Sequence, residues 1–107
     1  MEAAQRLGSD ALQRLSPLLD HPEVLQVRGR GLMVAVEFQG ERAGQLAHQV
    51  VKRALRAGML LHTAGVQHEV IRLMPPLNIG ADLWDSALEE LVSIVGQVCS
   101  AQAPTTA

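Results

Sequence analysis

Val27-Arg28-Gly29-Arg30-Gly31-Leu32-Met33-Val34-Ala35-Val36-Glu37-Phe38 and Val70-Ile71-Arg72-Leu73-Met74-Pro75-Pro76-Leu77-Asn78-Ile79 are the two stretches that decide the fold. In the first, two β-rich runs flank Arg28-Gly29-Arg30-Gly31, and glycine tolerates the positive φ of tight hairpin turns. The pattern predicts antiparallel strands over 24–29 and 31–38, with the turn between them. Along the second arm Leu32, Val34, Val36 and Phe38 point to one face and Met33, Ala35 and Glu37 to the other. The second stretch reads as a strand over 69–74 that ends at a double proline. It carries Arg72 through an apolar run. That arginine either reaches solvent from the outer sheet face or meets a carboxylate supplied from elsewhere, and its planar fork suits two-pronged carboxylate pairing.

Helical periodicity surrounds these strands. Leu7, Ala11, Leu15 and Leu18 recur at spacings of three and four, which predicts a helix over about 2–19, closed by Pro17 and Pro22. A second helix is expected over 42–57, with Ala43, Leu46, Ala47, Val50, Val51, Ala54 and Leu55 as its buried stripe. Gly58 supplies the left-handed stop, and Arg53 and Arg56 complement the dipole near that end. Residues 59–63 form a short apolar strand. The last helix spans 81–98, with Trp84, Ala87, Leu88, Leu91, Ile94, Val95 and Val98 on its apolar side. The order α-β-β-α-β-β-α gives an α/β (α+β two-layer) fold, a small mostly antiparallel sheet of three to four strands with helices on one face. One domain is expected over 1–100, followed by a frayed tail over 101–107. Met33, Ala35 and Arg72 would lie on the outer sheet face, and so apolar a face marks an interface.

The composition bounds the function. A 107-residue chain can bury roughly two thirds of its unfolded surface. Hydrophobic residues make up 48% and charged residues 19%, which suits a globular domain and not a disordered one. The net charge of −2 gives no footprint for nucleic acid, and Phe38 and Trp84 are the only aromatics on which bases could stack. No run approaches the ~20 apolar residues of a membrane span, and the amino end lacks the build of a signal peptide, so the cytoplasm is the expected compartment. A lone cysteine, Cys99, excludes an internal disulfide and a Cys-rich zinc site.

Few residues carry chemistry. Lys52, the only lysine, lies beside Arg53 on a basic helix face, where a solvated charge outweighs a Schiff-base role. His21, His48, His62 and His68 are scattered without metal-ligand spacing; His62 and His68 flank a turn, and surface positions are expected for all four. Cys99 is expected to be a small buried apolar group. Gly29-Arg30-Gly31 lacks the third glycine and the following helix of a dinucleotide loop. Glu89 and Glu90 are neighbours on a helix and face different ways. No catalytic, cofactor or metal residue is assigned, and Arg72 is the one candidate site residue.

Together the two stretches resemble the carboxy-terminal small domain of class-III pyridoxal-phosphate-dependent aminotransferases, the acetylornithine, ornithine and 4-aminobutyrate group. Members carry a Val-Arg-Gly-x-Gly-Leu-Met run leading into a strand ending in glutamate, here Val27 to Glu37. An apolar-Arg-apolar strand and a Pro-Pro-Leu segment follow later, here Ile71 to Leu77. The likeness runs from Ala4 to about Cys99. It implies the small-domain fold of fold-type-I enzymes and transfer of an amino group, through pyridoxal phosphate, from an acetylornithine- or ornithine-like donor to 2-oxoglutarate. It implies that Arg72 meets a substrate carboxylate or a gating glutamate on a large domain. It also implies partners: the large cofactor-binding domain, where the Schiff-base lysine, the phosphate cradle and the pyridine-nitrogen aspartate of the family reside. Lys52 matches no such motif, so the chain alone is expected to be inactive and to bind no cofactor. Gly80 stands where relatives often have a threonine cap, which weakens the last helix by a few tenths of a kcal/mol. Two other readings stand beside this one: a stand-alone module that binds amino-acid carboxylates or a protein partner, and a homodimer formed through the uncovered sheet face.

Overall fold

A computed structural model of the chain describes residues 2–30, 33–75 and 79–101. Its elements are α1 (Glu2–Leu15), a 3-10 turn (Ser16–Asp20), β1 (Val24–Arg30), β2 (Met33–Phe38), α2 (Ala43–Arg56), β3 (His62–Ala64), β4 (Val70–Leu73) and α3 (Ala81–Ala101). The four strands form one sheet in the order β1-β2-β4-β3, and every neighbouring pair is antiparallel. β3 therefore runs parallel to β2 with β4 inserted between them, and α2 is the crossover that such a connection requires. This is the two-layer α+β architecture expected from the pattern.

The core lies on one sheet face. Val34 pairs with Leu73 and Val36 with Ile71, and all four, with Phe38, are buried in a single cluster. Leu46, Ala47, Val50 and Ala54 of α2 join it, as do Ala11 and Leu15 of α1 and Trp84, Leu88, Leu91 and Val95 of α3. Periodicity at three and four thus delivered most of the helix faces it promised, the Leu7 side chain lying outside the described residues. Ala87 is only half-buried and stands outside the cluster, and Leu55 is 62% exposed, because the inward stripe of α2 passes through Ala54 and leaves its neighbour facing water.

Several boundaries differ from expectation: α3 runs on to Ala101, three residues past the expected end and one into the expected tail, and three others differ for a local reason. The α-helical part of α1 stops at Leu15, and the chain tightens into the 3-10 turn, with Pro17 in its first positions. Proline has no N–H to continue the i to i−4 ladder, so the tighter turn absorbs it while Leu18 stays buried. The hairpin turn does not fall on Arg28-Gly29-Arg30: these residues extend β1, and Arg30 pairs with Met33. The connection falls on residues 31–32, outside the described residues. Gly29 is needed for closeness, since a Cβ there would come within 3.0 Å of the Met33 carbonyl oxygen and 3.4 Å of Leu12 on α1. The third strand begins at His62 and not at Met59. Met59 is still bound to the end of α2, donating its N–H to the Ala54 carbonyl at 2.8 Å, while Gly58 donates to Leu55 at 3.0 Å. Those two bonds, with Gly58 at φ 89°, make a Schellman stop. Pro76, Leu77 and Asn78, and the tail over 102–107, lie outside the described residues.

Nothing stands within 4 Å of a Cβ built on Gly58, so its only constraint is the backbone. Gly58→Ala is expected to cost about 1–2 kcal/mol in urea denaturation, the penalty of a left-handed conformation for an L side chain. An unchanged midpoint would contradict the capping geometry.

Candidate functional site: the outer sheet face around Arg72

Strand register builds this face residue by residue. One row across the sheet runs Arg28, Ala35, Arg72, His62, and the next runs Gln26, Glu37, Val70, Ala64. Arg72 is thus central, with Ala35 beside it on β2 and His62 beside it on β3. Ala35 and Val70 are well shielded yet take no part in the core cluster on the opposite side. The face is more polar than β2 and β4 alone suggest. β1 brings Gln26 and Arg28 and β3 brings His62, so the bare apolar patch expected here is not what the sheet presents.

The acids near this face are engaged elsewhere. Glu37 accepts from the Arg28 guanidinium at 2.6 Å, and Arg28 also donates to the Gln26 side chain at 2.7 Å. Glu69, just before β4, accepts the backbone N–H of Gln67 at 2.9 Å, and its carboxylate fills the space that a side chain at Gly65 would need. Arg72 has no carboxylate partner among the described residues, and its Nε is shut off from solvent without an acceptor. A shielded donor left unmade costs about 1–3 kcal/mol.

Exposed apolar surface collects beside this row, at the β3 edge. A hollow of about 510 Å³ is lined by Leu60, His62, Met74, Ile79, Leu83 and Trp84 among others. Leu60 and Leu83 are each 65% exposed on its rim. The sequence patterns did not reveal this hollow, because its lining comes from a loop, a strand end and a helix start that only the fold brings together.

Pyridoxal phosphate is the cofactor implied by the resemblance, and the residues described do not build a site for it. Lys52 is exposed on α2, along an open groove shared with Arg53, Arg56 and Glu90. It has none of the desolvation that activates a Schiff-base amine. His62 and His68 do not converge on a metal: His68 lies against the Thr63 hydroxyl, Nδ1 to Oγ1 3.3 Å, within its own turn. His21 and Cys99, read from sequence as a surface group and an apolar filler, come together with Glu23 instead. The short spacing of His21-Pro22-Glu23 was the available signal; its meeting with Cys99 needed the fold.

The family model for class-III aminotransferases matches residues 1–95. This chain belongs to the class-III aminotransferase family. Among its relatives, a leucine/methionine racemase of Thermococcus litoralis is 35% identical over 92% of the chain and 23% of the racemase. A diaminobutyrate–2-oxoglutarate transaminase of Nocardia farcinica is 33% identical over 94% of the chain and 22% of the transaminase. The solved structure of an ornithine aminotransferase from Plasmodium yoelii superposes with a TM-score of 0.77 at 31% identity, covering 89% of this chain and 24% of that one. The class-III chain therefore spans less than a quarter of the length of these relatives.

Two outcomes follow from the geometry of this class-III domain. Arg72→Met keeps the apolar stem and removes the unmatched Nε–H. It is expected to raise the urea midpoint of the isolated chain, by about 1 kcal/mol in stability; a loss of several kcal/mol would mean an ionic partner within the domain. The second concerns Cys99. Burial, then the charge and hydrogen bond of Glu23, push its thiol up from 9.0 to about 11. Because the folded value lies above the unfolded one, the associated stability is complete below pH 9 and is lost as pH rises through about 11. Alkylation of Cys99 at pH 8 should be slow and should accelerate in Glu23→Gln; equal rates would remove Glu23 as a cause.

Proposed function

We propose that this chain is the carboxy-terminal small domain of a pyridoxal-phosphate-dependent aminotransferase, cytoplasmic, and that it acts together with a cofactor-binding large domain. On this reading the outer sheet face and the adjoining hollow meet the large domain, and Arg72 meets a carboxylate there, from the substrate or from a gating glutamate. The observation that carries the reading is the sheltered Arg72 Nε, which has no acceptor among the described residues while Glu37 and Glu69 serve other donors. The small share of each relative's length that the chain covers supports a large partner domain. The amino donor is proposed to be of the acetylornithine or ornithine type, with 2-oxoglutarate as acceptor, supported by the likeness to an ornithine aminotransferase. A leucine/methionine racemase also stands among the relatives.

The chain alone is proposed to be inactive. Incubated with pyridoxal phosphate, ornithine and 2-oxoglutarate, it should yield no glutamate, and borohydride should trap no cofactor on Lys52. Glutamate formation with a trapped Lys52 adduct would overturn the assignment. The same unpartnered guanidinium also fits a second reading, a stand-alone module that binds amino-acid carboxylates. Calorimetric titration with ornithine, glutamate and 2-oxoglutarate separates the two. Binding weaker than about 1 mM favours the domain of a larger enzyme, and tighter binding that Arg72→Ala abolishes favours the module.

A further inference from the structure

On the helical side of the domain, away from Arg72, His21, Glu23 and Cys99 converge. A ring nitrogen, a carboxylate oxygen and the Cys99 sulfur all lie within 4.8 Å of one another. We propose that these three side chains form a binding site for a divalent metal ion of borderline softness, zinc in the first place. One sulfur, one nitrogen and one oxygen are the ligand types zinc accepts, and three protein ligands leave a fourth position for water. Ligand atoms in a tetrahedral zinc site stand about 3.3–3.8 Å apart, so the trio needs a contraction of at most about 1–1.5 Å, within reach of side-chain torsions.

The backbone holds the trio in place. The His21 N–H donates to the Leu18 carbonyl at 3.0 Å, and the His21 carbonyl accepts from Val24 at 3.0 Å. Gln39 clamps the next two residues, its backbone N–H on the Glu23 carbonyl and its side-chain amide on the Pro22 carbonyl, both at 2.9 Å. Cys99 comes from α3, one turn beyond Gly96, where a Cβ would lie 3.9 Å from His21 Nε2. A glycine thus stands where the helix passes the imidazole.

Charge favours a dication. Cys99 is buried, whereas His21 and Glu23 are half-buried, so the fourth position faces water. A thiolate, a carboxylate and a neutral imidazole neutralise a 2+ ion, which removes the repulsion that Glu23 imposes on the free thiolate. Binding forms the metal–sulfur bond and releases the thiol proton to solvent. No electrons are transferred.

Cobalt(II) is the probe, added to the reduced, metal-free 107-residue chain. The expected result is one equivalent bound, with a thiolate-to-metal charge-transfer band in the near ultraviolet, and displacement by zinc. His21→Gln and Glu23→Gln should each weaken cobalt binding about tenfold or more, and Cys99→Ser should erase the band. Zinc should raise the thermal midpoint of the parent chain, and His21→Gln should lose that rise; this readout holds even where Cys99→Ser fails to fold. Absence of the band, or a band of equal affinity in His21→Gln and Glu23→Gln, would overturn the site and leave Cys99 as an isolated thiol.

Discussion

A guanidinium held at the centre of a sheet with its Nε closed off from water is the constraint around which this domain is organised. β4 places Arg72 between Ala35 and His62. An arginine cannot relieve the cost by deprotonating. Its neighbours do not relieve it either, because Arg28 takes Glu37 and the β3–β4 turn takes Glu69. Stability alone would be better served by an apolar side chain there. A residue that costs stability where it stands is the kind of local conflict found at functional sites.

The fold follows from two layers with different tasks. Periodic stripes on α1, α2 and α3 bury one face of β2 and β4. The other face is mixed: paired charges at β1, a solitary charge at β4, and an apolar hollow at the β3 edge. Polar rows beside an exposed apolar rim suit a surface that meets another domain and must also tolerate water. Relatives that include a racemase and transaminases with different named substrates carry this same unit.

Most of the architecture was legible in the chain because it rests on short-range patterns. The spacing of Leu46, Ala47, Val50 and Ala54 defined a helix face, and the alternation of Val34, Val36 and Phe38 defined a strand face. Gly58 announced the end of α2. Boundaries failed where a competing local rule intervened: Pro17 converted a helix end to a 3-10 turn, and Met59 was claimed by the cap and lost to the strand. Arg72 was legible as an oddity in an apolar run. The polar character of its surroundings was not, since Arg28 was read as part of the hairpin turn, and the alignment of His62 with Arg72 depends on a strand register that the residue pattern did not set. The meeting of His21, Glu23 and Cys99 needed the fold.

The central claim is that the Arg72 guanidinium is completed by an acid from outside its own domain. The most direct measurement is an experimental structure of the chain assembled with a class-III cofactor-binding domain and an amino-acid substrate. The account predicts a carboxylate of the substrate or of that other domain within hydrogen-bond distance of Arg72, about 2.7–3.2 Å. Arg72 paired instead with Glu37 or Glu69 of its own sheet, or turned out into solvent, would contradict it.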